Sequence, residues 1–316
     1  MMKLRYIVTL LLLIICFGVV QSKPITLTMQ WTPQSQFVGY YVAQELGYYD
    51  QLGLDVVIKH SSSSKGINNH IEESDAVTLK LYDAIYMIDK GLDIVNVLQT
   101  SQHSCLVVVS RNDKIKTLKD LKGCKVGIWS ASFRELAEGI NQDLNLGIQW
   151  VPYVQSVNLF VSGAVDATFA ATYGEEYQLR FSGFEKNHYI YLANEGYDFP
   201  EDGLYVKSEF YKKYPKQAKA LAVATRMGWE WAHKNPEKAL EIVIKVMKRE
   251  RVPVSRNHQR WMLEQILKLQ CDKRTQKPTF EIDMQKYNQI NQFLMKQGAI
   301  PAPVSIDKIK GTKLCK

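Results

Sequence analysis

The sequence lacks the short motifs that mark the commonest catalytic sites. It contains no P-loop, no serine nucleophile elbow and no HExxH pair. Its 5 cysteines form no CxxC pair, and none lies at metal-ligand spacing from a histidine. These absences exclude the enzyme classes that depend on those motifs, and they favour a binding protein without a metal or cofactor.

Only one long apolar run is present, and it lies at the start of the chain. Lys3 and Arg5 precede an apolar run over residues 7–20, and Gln21 and Ser22 follow it. The run is shorter than the roughly 20 residues of a bilayer span, so it predicts a secretory signal peptide over residues 1–22. We expect an exported, periplasmic protein. The alternatives are an uncleaved N-terminal anchor and a lipid anchor at Cys16.

The distribution of charge indicates which binding partners to expect, and the remaining cysteines raise the question of a disulfide bond. The formal net charge of +8 is scattered along helical stretches without interleaved aromatic residues, so nucleic-acid binding is not expected. Export permits disulfides. Cys105 and Cys124 each stand beside an apolar strand, which leaves two alternatives: a bridge between them or two buried free thiols.

A strand-then-helix rhythm runs from residue 25 to about residue 207, and only helices are predicted after it. This order is typical of an α/β chain with largely parallel sheets. A restart at Lys125 predicts two lobes with a cleft between them and a helical C-terminal third. The first part of lobe 1 covers residues 23–112 and includes the strand at 106–110. Lobe 2 covers residues 113–204, and the chain returns to lobe 1 over residues 205–316, so the boundaries fall near Asn112 and Leu204.

Several predicted strands end in aromatic and polar side chains. The carboxyl ends of parallel strands meet at one edge, so these residues are expected to face the cleft. Rings beside amides and carboxylates suit a flat ligand with hydrogen-bonding edges. A structural alternative exists for each: a tryptophan can fill a core, and Lys80 and Asp83 can form a helix-surface pair. The predicted ligand-binding residues are Trp31, Gln36, Tyr40, Thr78, Tyr82, Trp129, Ser130, Tyr173, Glu176 and Asp202.

The order and spacing of several segments indicate a family. These segments are Trp31-Thr32-Pro33, Gly39 to Ala43, Gly47-Tyr48-Tyr49, Gly53-Leu54-Asp55, Val126 to Trp129, and Gly196 to Leu204. In them the chain resembles the thiamine-pyrimidine-precursor-binding branch of the ABC-transporter substrate-binding proteins. This branch is related to sulfonate-binding proteins and to the fungal pyrimidine synthase.

The resemblance implies a periplasmic binding protein type II fold, an ABC permease as partner, and a substituted pyrimidine held between rings and fixed by carboxylates. It places Trp31, Trp129, Tyr173 and Glu176 in the pocket. Family members usually have Tyr-Asn-Glu-Tyr where this chain has residues 174–177, Gly-Glu-Glu-Tyr, so alignment favours Glu176 over Glu175. Many family members carry a histidine where this chain has Gln36. This difference affects which heterocycle the resemblance implies.

The resemblance also allows an enzyme alternative, which the residues disfavour. The pyrimidine synthases need a lysine that carries the cofactor, a histidine shortly after it and a cysteine-rich run for iron. Lys80 lies close to the lysine position, but Asp83 stands about where the histidine would be, and no cysteine cluster exists. We therefore predict no enzymatic activity. Two further alternatives stay open: a binding protein for sulfonate or taurine-like solutes, and a periplasmic sensor input whose partner is a membrane kinase.

Overall fold

A computed structural model describes residues 23–61, 67–130, 133–153 and 157–310. The predicted signal peptide over residues 1–22 and the lipid-anchor position Cys16 lie outside these ranges. Within them, no helix combines the length and apolar character that crossing a bilayer requires.

The first sheet contains strands from both ends of the chain. Its spatial order is β2-β1-β3-β10-β4. The pairs β1–β2 and β1–β3 are parallel, whereas β10 runs antiparallel to both β3 and β4. The central strands are buried on both faces, which explains their continuous apolar runs. The strands are β1 Ile25–Met29, β2 Val56–His60, β3 Ala76–Lys80, β4 Ile94–Gln99 and β10 Asp202–Lys207.

The second sheet repeats this pattern, in the order β7-β6-β8-β5-β9. Here β5 is the antiparallel strand, between β8 and β9. Two of these strands, β7 and β9, were not predicted, because short half-exposed segments carry a weak periodic signal. The strands are β5 Leu106–Ser110, β6 Lys125–Trp129, β7 Gln149–Tyr153, β8 Ala167–Ala171 and β9 His188–Tyr191.

The assignment of residues 106–110 to the first lobe is wrong, because β5 pairs with β8 and β9 in the second sheet. The chain therefore first passes between the sheets at residues 100–105, before the predicted boundary at Asn112. It returns at residues 192–201, close to the predicted boundary at Leu204. The apolar sequence of a strand predicts that the strand is buried. It does not predict which sheet the strand joins.

Helices cover the sheets and make up most of the C-terminal third. Two long helices begin with proline at the first turn, where the missing N–H removes no intrahelical hydrogen bond. The helices are α1 Val38–Glu45, α2 Tyr48–Gln51, α3 Leu81–Asp89, α4 Arg134–Asp143, α5 Asn158–Val161, α6 Glu175–Leu179, α7 Ser208–Lys213, α8 Pro215–Lys234, α9 Pro236–Arg249, α10 Arg256–Leu269, α11 Met284–Lys296 and α12 Ile306–Ile309.

Two glycines allow α1 and α8 to approach closely. A Cβ atom on Gly228 would lie 2.0 Å from the carbonyl oxygen of Gly39, and one on Gly39 would lie 2.2 Å from the Trp229 ring. The Trp229 ring is buried and meets Tyr40 edge-on, with 5.9 Å between ring centroids. This contact anchors the helical third on the first sheet.

The described cysteines are free thiols. Cys105 is buried at the start of β5, and Cys124 is half-buried just before β6. The alternative of an unbridged pair therefore holds, and the bridge between Cys105 and Cys124 is wrong in this structure.

Candidate functional site

The carboxyl ends of the parallel strands in the two sheets face each other across a cleft, as expected for open α/β sheets. The first sheet contributes Lys80 at the end of β3 and Asp202 at the start of the antiparallel β10. The second contributes Trp129 at the end of β6 and Tyr173 just after β8.

Two adjacent buried carboxyl groups stand at the start of β10. Asp202 accepts hydrogen bonds from the side-chain amides of Gln30 and Gln36, the latter at 2.7 Å. Glu201 accepts the backbone N–H of Cys105 at 3.1 Å. Burial raises the pKa of Asp202, and it raises the pKa of Glu201 to about 8.

Among the described residues at the strand ends of the cleft, Lys80 provides one ammonium group. Lys80 Nζ lies 2.8 Å from the Asp83 carboxylate and 4.6 Å from the ring centroid of Phe133. Burial alone would lower the pKa of Lys80, but the charges of Asp83, Glu201 and Asp202 outweigh it and raise the pKa to about 12. The amine therefore stays protonated, and Asp83 neutralises much of its charge.

Trp129 is held in place by a carboxylate that the sequence analysis did not select. Its indole N–H donates to Glu175 Oε1 at 3.0 Å, while Glu175 Oε2 accepts the backbone N–H of Ala171 at 3.0 Å. Burial raises the pKa of Glu175. The Phe133 ring lies 5.3 Å from that of Trp129, and its residue adopts a left-handed backbone with φ of 58°, a conformation unusual for a bulky side chain.

The placement of Glu176 in the pocket stays a prediction, and the structure pairs this carboxylate with residues other than Trp129. Its carboxylate accepts hydrogen bonds from Arg180 Nε at 2.7 Å and from the Tyr191 hydroxyl at 3.0 Å, away from Trp129. Successive helical residues point about 100° apart, so only one of the two adjacent glutamates can meet the strand end. Helix α6 directs Glu175 there.

The structure brings three of the predicted residues together around one small cavity, namely Gln36, Tyr173 and Asp202. The cavity volume is about 10 Å³, room for one water molecule. Trp229 also lines it, and the indole N–H of this residue has no hydrogen-bond partner within the described residues. Sequence reasoning missed Glu201 and Trp229, because neither has a local signal that separates it from an ordinary core residue. The lining residues are Gln36, Thr100, Ser101, Tyr173, Glu201, Asp202, Trp229, Ile266, Leu269 and Gln270.

The other predicted residues lie elsewhere. Tyr40 is 1% exposed and packs against Trp229 in the core, so it forms no open wall of the cleft. Trp31 is half-buried against the first sheet's core. Thr78 is fully buried, and its hydroxyl accepts the Gln30 N–H at 2.9 Å. Tyr82 packs against Phe293 on α11, and Ser130 is exposed. Tyr40 and Thr78 are therefore both core residues in this structure.

Helix α10 closes one flank of the cleft. The indole N–H of Trp261 donates to the Thr172 carbonyl at 2.8 Å, and His258 Nε2 lies 3.2 Å from the Tyr173 carbonyl. The His258 ring also stacks on Tyr177, with centroids 4.7 Å apart. These contacts join the helical third to the end of β8, and a ligand larger than a few atoms requires the two sides to separate.

The buried Glu201 carboxyl predicts a pH-dependent stability. Its pKa of about 8 lies above the ordinary value near 4.3, so the folded protein binds one more proton than the unfolded chain between these pH values. The stabilisation is complete below the ordinary pKa and is lost as the pH rises through 8, by at most about 1.4 kcal/mol per pH unit.

In Glu201→Gln this contribution should persist at alkaline pH. Urea unfolding of both proteins from pH 5 to pH 9 measures the difference, and identical slopes would contradict the prediction.

Sequence comparisons connect the chain to binding and biosynthesis proteins. A profile described as NMT1/THI5 like matches residues 34–239. The riboflavin-binding protein RibY of Chloroflexus aurantiacus is 21% identical over 299 residues, which cover 90% of this chain and 84% of that one. A putative thiamine biosynthesis protein of Haemophilus influenzae is 23% identical over 295 residues, which cover 90% of each chain.

Solved structures show the same architecture. A putative periplasmic sulfonate-binding protein, SsuA, from Methylobacillus flagellatus superimposes with a TM-score of 0.65 at 15% identity, covering 94% of this chain and 93% of that chain. The desulfurization enzyme DszB gives a TM-score of 0.61 at 14% identity, covering 92% and 97%. The fold is therefore that of the periplasmic binding proteins, as the sequence predicted.

Proposed function

This chain belongs to the NMT1/THI5-like family, and on that basis we propose that it is an exported solute-binding protein. It captures a small heterocyclic ligand, a thiamine-related pyrimidine precursor, and delivers it to an ABC importer. The two sheets form the halves of the clamp, and the cleft between them is the binding site.

The observation that carries the proposal is the pair of buried carboxyl groups at Glu201 and Asp202. Carboxyl oxygens accept hydrogen bonds from the exocyclic amine of an aminopyrimidine, and a buried acceptor left without a donor is unfavourable by about 1–3 kcal/mol. The unpartnered Trp229 N–H beside them offers a donor to a ring nitrogen. A donor and acceptors together match the edge of such a heterocycle.

Aromatic side chains supply the flat surface that this ligand needs. The Trp129 ring is oriented by Glu175 at the end of β6, and Tyr173 lines the cavity directly. Stacking of an aromatic side chain on a heterocyclic base contributes roughly 1–3 kcal/mol. Together with the carboxyl groups, stacking accounts for selection of a heterocycle over an aliphatic solute.

The crossings at residues 100–105 and 192–201 form the hinge in this proposal. Rotation about two short connections opens the cleft to admit the ligand and closes it again. The cavity beside Asp202 holds about one water molecule, so this conformation corresponds to the closed clamp. A membrane permease would recognise the closed state, because only then are both halves in a fixed relation.

Lys80 supports a binding role over catalysis. A lysine that forms an imine with a cofactor aldehyde reacts as the neutral amine, and burial without a counter-charge is the usual way to reach that form. Here Asp83 lies 2.8 Å from Nζ, and the pKa is raised to about 12. The side chain is thus suited to balancing the charge of the neighbouring carboxyl groups.

A ligand panel tests the proposal on the purified mature protein. We expect calorimetric binding of an aminopyrimidine thiamine precursor, and binding of taurine or an alkanesulfonate weaker by about 100-fold or more, because their anionic group would face carboxyl oxygens. Riboflavin and thiamine complete the panel.

Each alternative has its own result. Tight binding of sulfonates alone would overturn the pyrimidine assignment, and binding of riboflavin alone would identify a flavin-binding protein. If no member of the panel binds, the ligand class is wrong. Copurification with a sensor kinase in place of a permease would refute import as the role.

A further inference from the structure

A second cavity lies beside the hinge, separate from the small cavity at Asp202. Its volume is about 450 Å³, within the range of roughly 300–1,000 Å³ that is typical of small-molecule sites. We call it the hinge groove. The lining residues are His103, Ser104, Thr172, Tyr191, Ala193, Asn194, His233, Gln265, Leu267, Lys268, Leu269, Cys271, Lys273 and Gln276.

The walls of the hinge groove come from three parts of the protein. His103 and Ser104 belong to the first crossing, Thr172 follows β8 of the second sheet, and Asn194 lies at the start of the second crossing. The opposite wall is the end of α10 with the turn that follows it. Direct contacts also join the walls, because His103 Nε2 lies 3.1 Å from the Cys271 carbonyl oxygen and the Trp261 indole N–H donates to the Thr172 carbonyl.

The charged residues that line the hinge groove are cationic. Lys268 and Lys273 extend from one wall, and no carboxylate is among the lining residues. Just outside this lining, the carboxylate of Asp198 lies 2.7 Å from His103 Nδ1 and 3.6 Å from Lys273 Nζ. Asp198 is already engaged, because it accepts hydrogen bonds from Lys286 Nζ at 2.8 Å and from the backbone N–H of Ser104 at 2.9 Å. One carboxylate is therefore shared by Lys273, Lys286 and His103, and the lysines leave a net positive charge at the groove.

Thr172 supplies a second, independent sign of a ligand. The residue is 8% exposed. Its backbone N–H donates to the Cys105 carbonyl and its own carbonyl accepts the Trp261 indole N–H, both at 2.8 Å. The hydroxyl, in contrast, has no hydrogen-bond partner within the described residues. Buried polar groups are rarely left unpaired, so this hydroxyl is a donor available to a molecule in the groove.

From these observations we infer that the hinge groove is a binding site for an oxyanion, a phosphate or carboxylate group. Lys268 and Lys273 provide charge-assisted hydrogen bonds, and Thr172 provides a neutral one. The site is distinct from the cleft, where carboxyl oxygens disfavour an anion. It uses residues that the proposed solute site does not require.

Isothermal titration with inorganic phosphate and with citrate, at an ionic strength held constant with NaCl, tests the site in the absence of any cleft ligand. We expect saturable binding of at least one anion to the wild-type protein. Binding should weaken by about tenfold or more in Lys268→Glu/Lys273→Glu and by several-fold in the milder Thr172→Val.

The control is Lys216→Glu/Lys219→Glu, which makes the same charge change on exposed positions of α8. Lys219 is about 21 Å along the helix from His233, at 1.5 Å per residue. This variant should bind like wild type. Which anion binds distinguishes a phosphate ligand from a carboxylate ligand. The inference is overturned if neither anion binds, or if the groove variants, shown by circular dichroism to be folded, bind as tightly as the control.

Discussion

Replacement of Asp202 by alanine is expected to lower the affinity for the cleft ligand by about 10- to 100-fold. The carboxylate is buried, accepts hydrogen bonds from Gln30 and Gln36, and borders the cavity. Hydrogen bonds to a charged group contribute roughly 1.5–3 kcal/mol each, and its removal also releases the amides of Gln30 and Gln36, of which Gln36 lines the cavity. Calorimetric titration with the ligand identified in the panel measures the effect.

Glu176→Gln is the matched control for Asp202→Ala. Glu176 is 3% exposed, so it is also a buried carboxylate, but its partners are Arg180 and Tyr191 on the far side of α6. We expect ligand affinity within about twofold of wild type, with some loss of stability because Arg180 loses its charged partner. The opposite pattern, in which Glu176→Gln abolishes binding and Asp202→Ala does not, would show that the site is on the other side of the helix.

Gly228→Ala is expected to destabilise the protein by about 3 kcal/mol. The added methyl group would lie 2.0 Å from the Gly39 carbonyl oxygen and 2.9 Å from the Ala43 nitrogen. Both neighbours are backbone atoms of α1, so the helices must move apart, and overpacking of this kind is unfavourable by about 1–3 kcal/mol or more. This exceeds the gain of up to about 1 kcal/mol in helix propensity. Urea unfolding provides the measurement.

Gly139→Ala on α4 is the comparison for Gly228→Ala, because its added methyl group would meet a side chain and not backbone atoms. Its added methyl group would meet the end of the Phe293 ring at 2.8 Å, and that ring can turn or shift. We expect a smaller loss of about 1 kcal/mol or less, partly offset by helix propensity. Equal losses at the two glycines would mean that the α1–α8 contact is not the constraint we describe.

Local patterns in the sequence were sufficient for most of the secondary structure. The strand at 106–110 was predicted with the observed bounds, and the predicted restart at Lys125 is where β6 begins, because each is a short apolar run between polar turns. Only helices were predicted after about residue 207, and helices α7 to α12 lie there. Strand pairing joins residues far apart in the chain, and for this reason β5 was placed in the wrong sheet.

The site was less accessible to sequence reasoning than the fold. Strand-end position identified Gln36, Tyr173 and Asp202, which line one cavity. It also selected Tyr40, whose ring is buried under Trp229, because a residue one helical turn from a strand end can face either the cleft or the core. Alignment with the family selected Glu176 over Glu175, although the phase of α6 directs the earlier glutamate toward Trp129.

By itself the sequence determined that this chain is an α/β protein with a strand-end cleft, since hydrophobic periodicity and turn residues act over a few positions. The tertiary structure alone decided that Glu201 and Asp202 are buried carboxyl groups and that Trp229, from helix α8, lies with them around one cavity. Their burial and pKa values depend on atoms brought from distant segments. Physical proximity of that kind is a property of the packed fold, and no local pattern encodes it.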